Sequence, residues 1–406
     1  MQNSTVSKKR IMVFCDFYLP SKQSGGGMWT VVNLVSRFCD RFDFFIVTRN
    51  YDSKSDKQPY NSVRTGEWND VDGAKVYYAT PRSLTRFKAA ALVNEVCPDL
   101  VFLNSVLSLP VLKYLFARRQ NLVPRIPMIV APCGELSPAA LGLKPLKKKA
   151  FLSFAKAVGL FGNAIWKATN EVEKQEIFDY AGTAIEIFCA PDLAPETVYP
   201  DYDQALKPPK SSGMAKFSFL SRLTRKKNLH YFLERLRAID KGRVEVDVIG
   251  PLEDRAYYKE CMAIANELTD TISVRFLGPF SNQEALTRVL ESHFFVLPTL
   301  NENFGYVMLE GLAVGCPLLI SDKTIWSEIV VENAGWAIPL ENTAEWIEAI
   351  NCCIAMDQEE YRRMSERAVR FANAWISDPS AEMAMADIID YALVKNLVNE
   401  PRVTFA

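Results

Sequence analysis

Histidine is almost missing from this sequence. The 406-residue chain has two, His230 and His293, which excludes a three-histidine zinc centre and leaves little for histidine-based triads. Cysteine supplies no framework either. The nine cysteines are odd in number, scattered and without a C-x-x-C pair, and several sit in apolar runs where a thiol behaves as a small hydrophobe. That usage fits a reducing, cytoplasmic setting rather than a disulfide-stapled secreted fold. Long hydrophobic runs are lacking as well. The run at 11–14 behind Lys8, Lys9 and Arg10 ends at Cys15 and Asp16, too soon for a signal-peptide core. The apolar stretch 157–166 is about half of what a membrane-spanning helix needs. Nor is there an excess of either charge: 47 Lys+Arg stand against 48 Asp+Glu, which argues against a nucleic-acid partner.

What the chain does have is the composition of a two-domain globular protein, 49% apolar and 23% charged. Its neutrality hides an asymmetry. Residues 1–205 carry 25 Lys+Arg and 20 Asp+Glu, and the remainder carries 22 and 28. Pro208, Pro209, Ser211, Ser212 and Gly213 interrupt the pattern within 200–216, so the expected division is 1–205, 206–375 and a C-terminal helical segment 376–406. In each half, short β-rich runs alternate with stretches of helical period, the signature of an α/β fold with mainly parallel sheets. Strands are expected at 11–14, 43–48, 75–79, 100–103, 127–131 and 164–168, then at 216–221, 244–249, 273–276, 293–297, 317–321 and 335–338. Two Rossmann-like domains with a cleft between them follow, and ligands of such sheets bind beyond the C-terminal strand ends.

Three loops there carry chemistry. Gly25, Gly26 and Gly27 follow the first strand and precede a helix-like stretch. They allow either close approach of a phosphate to a helix N-terminus or simply a flexible turn, and they match neither G-x-G-x-x-G nor the P-loop pattern. Arg222 ends the strand at 216–221, and Lys227 comes five residues later, a spacing that lets two cations share one diphosphate. Arg225 and Lys226 read as solvated surface. The segment 293–320 reads as strand, loop, helix and strand, with Glu302 in the loop and Glu310 on the helix. Glu245 and Glu253 have the same separation, but Glu245 should project from mid-strand, whereas Glu302 lies at a strand end beside the backbone N–H groups of Phe304, Gly305 and Tyr306. That context offers donors to an anion and carboxylates to hydroxyls. The plain alternative for Glu310 is an exposed helix residue.

With these residues in view, the stretch resembles the E-x7-E signature of retaining GT-B glycosyltransferases of family 4. Ser221-Arg222-Leu223 with Lys227 is similar to that family's G-R-L-x-x-x-K-G, with Ser221 and Asn228 standing where glycines are usual. Val248-Ile249-Gly250-Pro251, Phe276-Leu277-Gly278 and the Gly25–Gly27 loop resemble its other landmarks. Segments around Phe17-Tyr18-Leu19-Pro20, Cys133-Gly134-Glu135 and Trp326-Ser327-Glu328 resemble a bacterial subgroup that builds surface polysaccharides, in which an arginine commonly stands where Cys133 does. Other members place a histidine near this part of the cleft. None exists in this N-terminal half, so that role does not transfer.

The resemblance implies transfer of a sugar from a UDP- or GDP-sugar to a glycan or polyprenyl-linked glycan hydroxyl, with the anomeric configuration retained. Arg222 and Lys227 would neutralise the leaving diphosphate without a cofactor or bound metal. Glu310 would hold the ribose, and Glu302 with the amides of Phe304, Gly305 and Tyr306 would hold the sugar. Gly250, Pro251, Gly278 and Phe280 would border the base, and Tyr18 and Glu135 are acceptor-side candidates. The last helix would return to the first domain. Metal-binding D-x-D spacing occurs at Asp70/Asp72 and Asp201/Asp203, where turn chemistry is an equally good account. The lysine-rich stretch 143–161 reads either as a helix on the anionic cytoplasmic face of the inner membrane or as a core helix with a solvated turn. A non-catalytic nucleotide-sugar-binding protein and a sugar-nucleotide epimerase are the competing functions.

Overall fold

In the computed structural model, which describes residues 7–21, 25–52, 58–142, 145–195 and 206–399, the apolar runs become strands covered on both faces. One sheet contains β1 (Lys9–Cys15), β2 (Phe42–Arg49), β3 (Trp68–Val71), β4 (Ala74–Ala79), β5 (Leu100–Asn104), β6 (Met128–Ala131), β7 (Ile165–Ala168) and β8 (Glu186–Cys189). Their order is β3-β4-β2-β1-β5-β6-β7-β8, parallel throughout except for the β3–β4 pair. Along β1, Met12 and Phe14 enter one core while Ile11, Val13 and Cys15 enter the other, the two-residue period of a strand packed from both sides.

The second sheet contains β9 (Met214–Leu220), β10 (Arg243–Ile249), β11 (Ile272–Gly278), β12 (Phe294–Leu297), β13 (Leu318–Ser321) and β14 (Gly335–Ile338), in the all-parallel order β11-β10-β9-β12-β13-β14. Its one deeply buried carboxylate, Asp247, accepts from two of the three Arg275 nitrogens, Nε at 2.7 Å and Nη2 at 2.9 Å.

All twelve expected strands form, but β3 and β8 do not announce themselves. In Trp68-Asn69-Asp70-Val71 two strand-favouring residues flank two that disfavour strands. The segment pairs because Asp72 (φ 39°) and Gly73 (φ 82°) make a tight hairpin turn back into β4. Asp70 is thereby committed to Lys75, 3.1 Å away, and Asp72 to the turn; Asp201 and Asp203 lie outside the described residues. The edge strand β8 is four residues long and only half-buried.

The chain divides into two compact units, one taking residues up to 196 together with those from Pro379 onward, the other taking 197–378. The first crossing lies in the segment 196–205, outside the described residues; the second comes at Pro379 instead of 376. In the second unit the helix Gln358–Ser377 starts at a capping box in which Asp357 and Glu360 satisfy each other's backbone N–H. The helix Ser380–Asn399 belongs to the first unit. Its Met385, Ile388, Ile389 and Ala392 share a core with Val31, Leu34, Val35 and Phe38, and Arg41 pairs with Asp390 at 2.5 Å.

Candidate active site

In the second sheet the chain runs outward from β9 to β11 on one side, then from β12 to β14 on the other, so the order reverses between β9 and β12. Doubly wound sheets bind ligands at the carboxyl end of such a reversal. Arg222 follows β9 and Glu302 follows β12. The strand ends are laced by backbone hydrogen bonds: Ser221 N–H donates to Ile249 O at 3.0 Å, Leu223 N–H to Pro251 O at 3.0 Å, and Gly250 N–H to Gly278 O at 2.9 Å. This lacing explains Gly250. At its φ of 138° a Cβ would stand 2.0 Å from the Ser221 carbonyl oxygen.

Lys227 closes a short 3-10 turn, Arg225–Lys227, and Asn228 follows it in the left-handed conformation at φ 59°. Asparagine is among the few side chains that tolerate this, so its standing in for glycine keeps the turn intact. The loop after β12 is sewn to that turn, since Leu300 N–H and Thr299 Oγ1 both donate to Lys226 O, at 2.9 and 3.1 Å. Glu302 thus meets Lys227, and the two form a largely buried ion pair. Burial alone would raise the Glu302 carboxyl. The Lys227 ammonium, aided by Lys226 and more weakly by Arg222, outweighs it and holds the group below the usual glutamate range. Arg222 is half-exposed and donates through Nη1 to Glu253 Oε2 at 2.7 Å. Both cations therefore already hold carboxylates where a diphosphate is expected.

Gly305, at φ 85°, opens the helix Tyr306–Ala313 with no side-chain cap. A Cβ there would lie 2.5 Å from Met308 Cε and 2.9 Å from Glu302 Cγ, so glycine is what lets the loop present Glu302. Glu310 lies on the inner face of this helix, 6% exposed, which removes the alternative of a solvated surface residue. Burial pushes its carboxyl up, offset in part by Asn282, whose Nδ2 donates to Oε1 at 3.0 Å. Asn282 was not singled out in the sequence. Its only signal is the Ser281/Glu284 capping box that marks a helix start just beyond β11.

The rings of Phe304 and Tyr306 are packing groups: both are buried, 4.6 Å apart, and Phe304 also meets Trp326 and Trp375, while Trp326 Nε1 donates to Phe304 O at 2.6 Å. Only the backbone of that stretch can face a ligand. Pro251 spends its carbonyl on Leu223, Gly278 (φ 77°) has open space where a Cβ would be, and Phe280 lies under Arg288 at 5.8 Å.

In the first unit, Gly25 (φ 69°) and Gly26 open the helix Gly26–Phe38, and Asn104 Nδ2 at the end of β5 donates to Gly27 O at 2.6 Å. Tyr18 is 1% exposed and belongs to the core, so it is not an acceptor contact. Glu135 acts as a brace, its Oε2 accepting from Ser105 Oγ at 2.7 Å and from the N–H groups of Val106 and Leu107 at 2.8 and 3.1 Å. A buried group that the sequence did not flag lies nearby in the chain order: Lys167 pairs with Asp192, which also accepts from Thr30 Oγ1 at 3.0 Å, and Glu173 ties Gly134 N–H to Thr169 N–H at 2.6 and 2.7 Å. The lysine-rich segment forms the helix Pro145–Ala157, anchored by Leu152 and Ala155, with Leu146 and Phe154 left 85% and 49% exposed.

The chain is similar to several known proteins. Residues 203–371 match the family described as glycosyl transferases group 1. Over 110 residues the chain is 31% identical to a D-inositol 3-phosphate glycosyltransferase of Nocardia farcinica, covering 27% of this chain and 24% of that one. Over 141 residues it is 32% identical to the amylovoran biosynthesis glycosyltransferase AmsK of Erwinia amylovora, covering 32% and 33%. The matched segments thus span only a quarter to a third of these relatives. Among solved structures, sucrose-phosphate synthase of Thermosynechococcus elongatus superposes with a TM-score of 0.69 at 14% identity, over 96% of this chain and 100% of that one. Anabaena HepE in complex with UDP and glucose gives 0.67 at 15%, over 94% and 100%. The fold is GT-B, an α/β architecture of two mainly parallel sheets with C-terminal helices.

Proposed function

We propose that this chain is a retaining glycosyltransferase that moves a sugar from a UDP- or GDP-sugar to a hydroxyl of a glycan or lipid-linked glycan acceptor in surface-polysaccharide assembly. The observation that carries the reading is the convergence of Lys227 and Glu302 at the β9/β12 reversal, with Arg222 on the same strand end and Glu310 buried on the helix that follows. On donor binding, the diphosphate oxygens displace the two carboxylates from Lys227 and Arg222. Glu302, released from its ion pair, then accepts from sugar hydroxyls, and Glu310 accepts from the ribose. As the bond between the anomeric carbon and the phosphate oxygen breaks, negative charge grows on the diphosphate, where the two preorganised cations act. Neutralisation by side chains means that the reading requires no resident metal. AmsK, named for amylovoran biosynthesis, supports the polysaccharide assignment, and HepE, crystallised with UDP, favours uridine donors.

The test is a thermal-shift panel of UDP-, GDP- and ADP-sugars followed by donor hydrolysis and transfer assays. One nucleotide series raises the melting point by mass action, and slow hydrolysis accompanies it. A panel that shifts nothing would defeat the reading, and binding without turnover would favour the non-catalytic alternative. Glu310→Gln weakens nucleotide binding about tenfold by calorimetry, the worth of hydrogen bonds to a charged acceptor. Because burial raises the Glu310 carboxyl and its ionised form is the better acceptor for a ribose hydroxyl, wild-type affinity falls on acidification from above the ordinary glutamate range. The Gln variant lacks that acid limb.

The same reading includes the helix Pro145–Ala157 as a contact with an anionic membrane surface. Its exposed Leu146 and Phe154 sit among Lys147, Lys149 and Lys156, the pattern of an interfacial helix. Co-sedimentation with anionic vesicles, lost at high salt and in Leu146→Glu/Phe154→Glu, is the expected result; no binding at low salt would end the idea.

A further inference from the structure

We infer that Asn282 is a positioning and specificity residue for the nucleotide's ribose, forming with Glu310 an acceptor pair that selects ribonucleotides over 2′-deoxyribonucleotides. This rests on the donor-site reading above and adds a group that the E-x7-E pattern does not contain.

Glu310 is a buried carboxylate on the helix Tyr306–Ala313, and the hydrogen bond it receives comes from a different element. Asn282 is the first residue of the helix Asn282–Leu290, whose start is pinned by the reciprocal Ser281 and Glu284 bonds: Glu284 Oε2 accepts from Ser281 N–H at 3.0 Å and from Ser281 Oγ at 2.7 Å. The side chain of Asn282 is therefore delivered from a fixed backbone, and its Nδ2 reaches Glu310 Oε1 at 3.0 Å. An amide N–H favours an ionised acceptor, so the contact opposes part of the upward push of burial on Glu310 and fixes the plane of its carboxyl. The geometry leaves a division of labour. Oε1 is engaged by the amide, Oε2 remains for the ribose 3′-hydroxyl, and the amide oxygen of Asn282, oriented by the Nδ2 bond, is an acceptor for the adjacent 2′-hydroxyl. Two acceptors held side by side match a vicinal diol. A nucleotide lacking one hydroxyl leaves one of them unpaired beneath the bound ligand, where an acceptor cut off from water costs more than an unmade bond in water.

A structural role alone predicts a change in melting point. The specificity role predicts a change in ligand ratio. We expect Asn282→Ala to weaken UDP binding about tenfold while 2′-deoxy-UDP is barely affected, so that the ratio between them collapses. KM for the donor rises and kcat stays near the wild-type value, because the contact exists equally in ground and transition states. Asn282→Asp, identical in shape, removes the donor and faces Glu310 with a like charge, and therefore loses more affinity than Asn282→Ala at neutral pH and recovers part of it on mild acidification. Asn282 is exposed at a helix start, so both variants fold; if the alanine variant melts early, the aspartate variant carries the test. An unchanged ratio in both variants, with Glu310→Gln weakened, overturns the role of Asn282 alone. If Glu310→Gln also binds nucleotide like the wild type, the donor-site reading falls with it.

Discussion

Lys227→Ala lowers kcat/KM for the nucleotide-sugar by about 100-fold or more, and Arg222→Ala does the same, as expected when one preorganised charge-stabilising group is removed. The two variants part company in stability. Arg222 is half-exposed and paired with an equally exposed Glu253, so its loss leaves the melting point nearly unchanged. Removing Lys227 strands Glu302 in a largely buried site and costs about 3–5 kcal/mol, the usual penalty for half of a buried ion pair. The doubly altered Lys227→Met/Glu302→Gln chain should recover much of that stability and none of the activity. The pair also has a pH signature. The Glu302 carboxyl is held below its ordinary value, so its stabilisation is complete above the unfolded-state pKa and is lost as pH falls through the lower folded value. Wild-type turnover by a folded Lys227→Ala or Arg222→Ala enzyme would refute the diphosphate clamp.

The second large effect is on folding. Gly250→Ala should destabilise the second unit by about 2–6 kcal/mol, the combined scale of a strained backbone and an overpacked contact. Its Cβ would collide with a carbonyl oxygen, Ser221 O at 2.0 Å, and neither partner is a flexible side-chain tip that can swing aside. On the scale of a few degrees per kcal/mol, the melting point falls by about 10 °C. Because Ser221 and Arg222 are displaced together, donor affinity falls in whatever fraction remains folded. Gly278→Ala is the control, since a Cβ there meets nothing within 4 Å and only the positive φ opposes it. Equal melting points for Gly250→Ala and wild type would show that the strand ends are less tightly laced than described.

The parallel core was readable because β1, β12 and β13 are near-continuous apolar runs, buried from both sides and bounded by turn residues. β3 was not, because Asn69 and Asp70 disfavour a strand, and the partners of Trp68 and Asp70, Tyr77 and Lys75, are brought up only by the Asp72-Gly73 turn. The four charged residues of the candidate site could be singled out for a related reason: Arg222 and Glu302 follow apolar strands, Lys227 sits in the short turn after Arg222, and Glu310 lies on a helix bounded by Gly305 and Gly315. Their partners could not. Glu253 and Asn282 reach Arg222 and Glu310 across 31 and 28 residues, and no local pattern encodes which carboxylate or amide a folded chain will bring up. Nor could the local pattern show where the Phe304 ring goes: it stands inside the motif, and Trp326 and Trp375, from 22 and 71 positions beyond it, hold it in the core while its backbone stays with the loop. Tyr18, expected on the acceptor side, is instead buried in the core that residues of β1 and β4 share.

The helix Ser380–Asn399 completes the hydrophobic layer over β1 and β2 with Met385, Ile388, Ile389 and Ala392, yet it is translated after the whole of the second unit. On the ribosome the earlier-made half must wait with that layer uncovered, while the later-made half already has all its own strands. Order of synthesis and order of completion are thus reversed in this chain, and the protein's first-born unit is the last able to close.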